Sequence, residues 1–457
     1  MAVYCLTILI WEVFDMNIDL TRGPVMRSMM KFAVPMILGN LLQQCYNIAD
    51  TLIVGKFLGA NALAAVGSSF TLMTFLTSIL LGLCMGSGTV CSIRFGQKDE
   101  DGMRECICAS FVLIAAITFL MNLLAFACLD GIQSFLQVPE EVWTLMRRYL
   151  TVIFCGITAT FFYNYFASLL RAVGNSVIPL IFLGVSAVLN IALDLFFVIG
   201  LNRGVSGAAE ATVIAQYVSG LGITVFALTQ YPQFKGLRTH WHIRRECLKT
   251  IADFSLMTCI QQSVMNLGIL MVQGLVNSFG AAVMAAFAAA VKIDAFAYNP
   301  VQDFGNAFST FIAQNYGAGD DRRIRKGIKG AFLSSLLFCM AVSAAVWIFA
   351  RPLMELFIDS GETAIIAEGI RYLHIEGAFY CGIGCLFLLY GLYRALEKPG
   401  MSVILTIISL GTRVLLAYIL SALPAIGVIG IWWAIPIGWF LADTVGIIYY
   451  IRKNGMT

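Results

Sequence analysis

Twelve runs of apolar residues dominate this sequence, each roughly the 20 residues that an α-helix needs to cross the hydrocarbon of a bilayer. They fall near 31–54, 66–91, 106–128, 149–169, 177–199 and 207–230, then near 251–276, 283–312, 328–349, 372–393, 401–420 and 429–450. Their apolar faces run nearly all round, as immersion in lipid requires, because in hydrocarbon only helices and closed barrels satisfy the backbone polar groups. Hydrophobic residues make up 60% of the 457 residues, charged residues 12%, and the mean hydropathy is +0.85. That is too apolar for soluble domains of this length. The expected fold class is therefore all-α integral membrane, with twelve transmembrane helices.

Several function classes fall away. The net charge is only +3 and the basic residues lie in short scattered clusters, so no nucleic-acid footprint is expected. Most of the thirteen cysteines sit inside apolar runs and no CxxC pair occurs, which fits small buried hydrophobes. His240 and His242 flank Trp241 in a polar loop without a further His or Cys cluster, and a solvated loop is expected there rather than a metal site. No cofactor is implied. At the N-terminus the apolar run Val3 to Trp11 lacks preceding basic residues and is too short to span, so it is neither signal peptide nor membrane helix. Because Met16 opens a polar lead-in, translation is expected to start there, leaving 1–15 upstream.

Orientation follows from the Lys and Arg residues in alternate loops. One side holds 21 of the 29 and the other only Lys56, Arg147, Arg148, Arg203, Arg351 and Arg371, while Lys292 and Arg413 lie within spans. Both termini are therefore expected in the cytoplasm of a bacterial cell, with the chain in its inner membrane. The halves also repeat. At an offset of 221, Gly59 falls on Gly280, Gly96 on Gly317, Asp99 on Asp320 and Arg104 on Arg325. At 223, Tyr149 falls on Tyr372, Arg171-Ala172 on Arg394-Ala395, Gly204-Val205 on Gly427-Val428 and Gly207 on Gly430. An even number of spans per half gives both the same topology, so a pseudo-twofold axis along the membrane normal should relate two six-helix lobes. The expected organisation is a cytoplasmic segment 1–30, an N-lobe 31–230, a cytoplasmic linker 231–250, a C-lobe 251–451 and a cytoplasmic tail 452–457. Substrate is expected between or within the lobes.

Ionisable groups inside spans are costly, roughly 2.5–3.5 kcal/mol each on insertion scales, and so invite a functional reading. Asp50 lies late in the first span and Asp194 seventeen residues into the fifth, which places both in the outer half of the bilayer. Asn190 shares a helix face with Asp194, and Thr212 lies in the first turns of the descending sixth span. Two carboxylates, an amide and a hydroxyl at one depth suit Na⁺ or H⁺; the alternative is hydrogen bonding for packing alone. In the C-lobe, Lys292 and Asp294 flank Ile293, and Glu376 follows His374. Residues two apart diverge on a helix, so each pair should find separate partners. Arg413 and Asp443 are expected to pair with one another.

The stretch Phe32-Ala-Val-Pro-Met-Ile-Leu-Gly-Asn-Leu-Leu-Gln-Gln-Cys-Tyr-Asn-Ile-Ala-Asp-Thr-Leu-Ile-Val-Gly55, with Phe57-Leu-Gly and Ala62-Leu-Ala-Ala-Val-Gly67, resembles the first helix and loop of multidrug and toxic compound extrusion (MATE) transporters. Leu170-Arg-Ala-Val-Gly-Asn175, Leu189-Asn-Ile-Ala-Leu-Asp194, Gly204-Val-Ser-Gly-Ala-Ala209 and Gln314-Asn-Tyr-Gly-Ala318 support it, and the likeness covers the chain from Met16 onward. The resemblance implies a secondary transporter, not an enzyme, that acts as a monomer on amphiphilic, cationic drug-like molecules in exchange for H⁺ or Na⁺. It implies a cation site at Asp50, Asn190, Asp194 and Thr212, with Asp50 and Asp194 as metal ligands only if the ion is Na⁺. It also implies a helix hinge at Pro35, where a missing backbone hydrogen bond makes bending cheap.

The NorM-like branch carries acids in the seventh and tenth spans, where this chain has Gln261, Gln262 and Asn266, and Cys381 to Cys385. Lys292-Ile-Asp294 looks more like the MepA-type and DinF-like branch. The candidate substrate cavity comprises Gln44, Asn47, Met73, Tyr163, Asn164, Gln261, Asn266, Lys292, Asp294 and Tyr298, with Met36, Phe161, Phe162, Phe296 and Phe308 as further wall residues. The rival within the superfamily is a lipid-linked oligosaccharide flippase, for which several cavity arginines are expected and only Arg413 lies in a span. A major-facilitator transporter would carry a GxxxDRxGRR loop where this chain reads Arg94-Phe-Gly-Gln-Lys-Asp-Glu-Asp101.

Overall fold

A computed structural model describes residues 18–136, 139–234 and 244–454. The Val3 to Trp11 run, Met16 and the loop residues His240 to His242 lie outside the described residues. The first half comprises α1 (Val25–Leu58), α2 (Ala60–Gly96), α3 (Glu100–Ala127), the short α4 (Leu129–Leu136), α5 (Glu140–Cys155), α6 (Ile157–Ala172), α7 (Val177–Asp194) and α8 (Gly204–Gln230). The second comprises α9 (Arg245–Asn277), α10 (Ala281–Gly317), α11 (Asp321–Glu355), α12 (Thr363–Gly377), α13 (Tyr380–Ala395), α14 (Pro399–Ser421) and α15 (Ile429–Asn454).

Among the described residues, ten helices are individually long and apolar enough to cross a membrane, and two bent pairs bring the spans to twelve. The bent pairs are α5–α6 at 44° and α12–α13 at 51°, so the fourth and tenth spans are broken where the sequence pattern reads as continuous. The breaks fall at Gly156 and Phe379, again 223 residues apart. At the first break, a Cβ on Gly156 would stand 2.7 Å from Gln216 Oε1 of α8, so a glycine is what permits the approach. At the second, the Phe379 backbone leaves helical geometry at φ −116°, ψ 16°.

The duplication extends to backbone conformation. Left-handed residues recur in register: Gly59 (φ 85°) with Gly280 (φ 96°), Lys98 (58°) with Gly319 (69°), Gly174 (89°) with Glu397 (58°), and Gly204 (62°) with Gly427 (54°). In two of these pairs only one copy is glycine, so the fold imposes the conformation even where a side chain makes it unfavourable. The caps match as well: Asp99 accepts from the Gly102 amide at 2.9 Å and Asp320 from the Arg323 amide at 2.9 Å, each satisfying an amide of the first helical turn.

The chain divides into two compact units. One holds Val34–Cys259 with the residues up to Asp19; the other holds Leu20–Ala33 and Ile260 onward. The boundaries between the units lie inside α1 and α9, and packing accounts for both. In the first unit, Gly82 and Gly86 bring α2 against the α9 backbone at Phe254 to Cys259. In the second, Asn315 donates to Leu20 O at 3.1 Å, and Arg323 donates to the carbonyls of Leu20, Arg22 and Gly23 at 2.9, 3.1 and 2.7 Å. The first unit's core gathers Phe154, Phe161, Tyr165 and Leu170, and the second's gathers Phe287, Tyr372, Tyr393 and Trp432. Tyr165 reaches a partner without leaving the core, donating to Ile107 O at 2.7 Å.

Candidate functional site

In the first unit, α1 carries Asp50, α7 carries Asn190 and Asp194 on successive turns of one face, and α8 carries Thr212. Asp194 has no exposed surface, Asn190 retains 2%, and Asp50 is half-buried. The Asn190 amide donates to Thr212 Oγ1 at 3.2 Å, and that hydroxyl donates onward to Ala208 O at 3.1 Å. Asp50 and Asp194 lie within hydrogen-bonding range of one another, with the phenols of Tyr46 and Tyr149 nearby. Four buried oxygens there receive no donor: Asp50 Oδ1, Asn190 Oδ1 and both of Asp194. A buried acceptor left unpaired costs about 1–3 kcal/mol, so such a group of oxygens calls for a partner.

Immediately after Asp194 the chain passes from α into π geometry, over Leu195–Gly200. A π turn is rare and is found disproportionately at functional sites. No residue pattern in the sequence announces it, and the equivalent stretch of the second half, from residue 418, is ordinary helix to Ser421 followed by turns.

The remaining candidates scatter. Gln44 reaches Asn40 Oδ1 at 3.5 Å and Asn47 accepts Thr51 Oγ1 at its carbonyl, both along α1. Tyr163 donates to Pro179 O at 3.0 Å and Asn164 to Thr160 O at 2.8 Å, while Met73 packs on the first unit's core. In the second unit Gln261 is buried and Asn266 donates to Gln262 O at 3.2 Å. Pro35 is buried within α1, which stays helical through it.

Asp294 and Tyr298 come together at a cavity of about 150 Å³, which Glu376 and Arg413 also line. Lys292 does not join them: it is exposed, 5.8 Å above the Phe357 ring, because two residues of helix turn it away from Asp294. His374 likewise parts from Glu376 and stacks on Trp347 at 4.5 Å. The expected Arg413–Asp443 pair does not form: Asp443 lies beside Cys385, and Arg413 lines the cavity within electrostatic reach of Asp294 and Glu376. Glu376 and Arg413 are charged cavity residues that the sequence alone did not place there, although their cost inside a span was the available signal.

The family model for MatE matches residues 35–196 and again 254–419. The chain belongs to the MatE family. The two matches end 223 residues apart, so the MatE pattern picks out each half of the duplication. The first contains Asp50, Asn190 and Asp194, and the second contains Asp294, Glu376 and Arg413. Among MatE relatives, the probable multidrug resistance protein YpnP of Bacillus subtilis is 29% identical over 94% of this chain and 96% of its own length. The multidrug export protein MepA of Staphylococcus aureus is 23% identical over 95% and 96%. A MOP superfamily transporter from Pyrococcus furiosus superposes with a TM-score of 0.88 at 24% identity, covering 96% of this chain and 97% of that one. At that identity the likeness speaks for the fold, which is that of a multi-pass membrane transporter of twelve spans.

Proposed function

We propose that the chain is a monomeric efflux transporter that exports amphiphilic, cationic small molecules across the bacterial inner membrane in exchange for H⁺ or Na⁺. The observation that carries this reading is the group of donorless buried oxygens from Asp50, Asn190 and Asp194. Two carboxyl groups in hydrogen-bonding range hold together only through a shared proton or a bound cation, and hard oxygens suit either. Membership of the MatE family and the names of YpnP and MepA support the substrate class. In this mechanism the ion reaches the site from outside, satisfies Asp194 and Asp50, and lets α1 repack about Pro35. Release of the ion on the other side resets the site. Gln44, Asn47, Met73, Tyr163, Asn164, Gln261 and Asn266 remain the proposed polar and apolar contacts for substrate, with both termini cytoplasmic. A flippase for pyrophosphate-linked lipids is less well supported, since Arg413 is the one arginine lining the described cavity.

The test is transport of ethidium, an amphiphilic cation, into proteoliposomes under an imposed H⁺ or Na⁺ gradient. Asp50→Asn and Asp194→Asn should each abolish gradient-driven uptake while leaving gradient-free ethidium exchange. Full gradient-driven uptake by either variant refutes the coupling role.

A further inference from the structure

The charged residues that line the cavity in the second unit have no charged counterparts in the first. At the offsets of the repeat, Asp294 stands where the first half has Met73, Glu376 where it has Ile153, and Arg413 where it has Asn190. Three ionisable residues thus occupy one lobe at positions that are apolar or neutral in the other, and each is costly to place in hydrocarbon. Packing does not repay them. Asp294 retains 7% and Glu376 3% of its surface, yet Asp294 Oδ1, Glu376 Oε2 and Arg413 Nε are all buried without a hydrogen-bond partner. Among the described residues Arg413 makes no ion pair, although it shares the cavity with both acids.

Size and charge then select the ligand. A volume of about 150 Å³ equals roughly five waters, at about 30 Å³ each. A bound ion needs less room, and a drug-sized molecule needs a pocket of roughly 300 Å³ or more. A small cation would satisfy the acids and leave the arginine unpaired; a small anion would do the reverse. A molecule bearing both charges satisfies all three, because a guanidinium fork matches a carboxylate and the two acids match an ammonium. Phe287, Tyr298 and Trp439 supply an apolar wall for the body between.

We propose that this cavity binds small zwitterions of the amino-acid type, with Arg413 holding the carboxylate and Asp294 and Glu376 the ammonium. The inference rests on the transporter reading only in taking the bound molecule as cargo. The ion site lies in the other unit, so binding here needs no gradient.

The experiment is calorimetric titration of the full chain in detergent with three probes small enough for the cavity: L-alanine, its methyl ester, which keeps only the ammonium, and N-acetylalanine, which keeps only the carboxylate. Loss of one charge-assisted contact should weaken binding roughly tenfold or more, so the zwitterion should bind best. Arg413→Ala should remove that advantage and leave the ester as the better ligand, which also shows that the variant is folded. Glu376→Gln should weaken the ester and spare N-acetylalanine. Equal affinity for all three probes, absence of binding, or an Arg413→Ala loss shared by zwitterion and ester overturns the proposal. Asp194→Asn separates the readings. Coupled flux without zwitterion binding defeats this inference alone, and zwitterion binding without coupled flux defeats the antiport mechanism alone.

Discussion

Replacing Gly82 by alanine tests the seam on which the first unit is built. A Cβ at Gly82 would stand 2.6 Å from Cys259 Cα and 2.9 Å from both Cys259 N and Thr258 O, all backbone atoms that no rotamer change can move. Ordinary contacts begin near 3.4 Å, so α2 and α9 must part locally by 3.4 minus 2.6, or 0.8 Å. A gap of about 0.5–1 Å forfeits roughly a quarter to a half of the dispersion energy of the facing atoms, and overpacking of this kind typically costs about 1–3 kcal/mol. Alanine returns about 0.5–1 kcal/mol through helix propensity. The balance is a net loss of up to roughly 2.5 kcal/mol. Gly67, on the same helix, would put its Cβ into open space with nothing within 4 Å, so Gly67→Ala keeps only the gain. Unfolding both variants and the parent protein in one detergent, by heat or denaturant, should place Gly82→Ala below the parent and Gly67→Ala at or above it. A Gly82→Ala protein as stable as Gly67→Ala would refute the close backbone approach.

Cys106 of α3 and Cys247 of α9 hold their sulfurs 3.4 Å apart, against about 2.05 Å in a disulfide, so treatment with diamide should link them, as read by non-reducing peptide mapping. Two free thiols after treatment would refute that geometry. Arg323→Ala removes the donor that holds the Leu20, Arg22 and Gly23 carbonyls, and hydrogen exchange across 20–33 should accelerate by at least tenfold, since a charged hydrogen bond is worth about 1.5–3 kcal/mol. Unchanged protection would mean that this segment is held elsewhere. Burial, followed by the hydrogen bond and charge of Lys453, pushes the Lys398 ammonium down to about 8 from 10.5. The folded value lies below the unfolded one, so the unfolded chain binds more protons between about pH 8 and 10.5, and the Lys398 contribution to stability rises across that window. Amine acylation at pH 8 should therefore label Lys398 ahead of other lysines and slow in Lys453→Gln; labelling at the common rate would contradict it.

The spans and the duplication were legible because both rest on long-range regularities: bilayer thickness fixes the length of each apolar run, and a constant offset survives wherever a cap or a left-handed residue is required, as at Asp99 and Asp320. Asp50, Asn190, Asp194 and Thr212 were legible because polarity is conspicuous inside a span and residue counting along a helix gives depth. Depth does not give direction round the axis between different helices. For that reason Arg413 and Asp443 looked like partners, whereas the fold turns Arg413 toward Asp294 and Glu376. The breaks at Gly156 and Phe379 escaped notice because neither interrupts an apolar run, and α1 and α9 straddle the units through contacts far apart in sequence.

The π turn beside Asp194 also bears on how this chain can vary by descent. Its hydrogen bonds close over five residues where an α-helix closes over four, so one residue of surplus is lodged within Leu195–Gly200. Loss of a single codon there would rewind the turn to α geometry while keeping the downstream residues on their present faces. That small genetic step would remake the seam at which the Phe196 and Phe197 carbonyls accept from the Leu201 and Arg203 amides at the entry to α8.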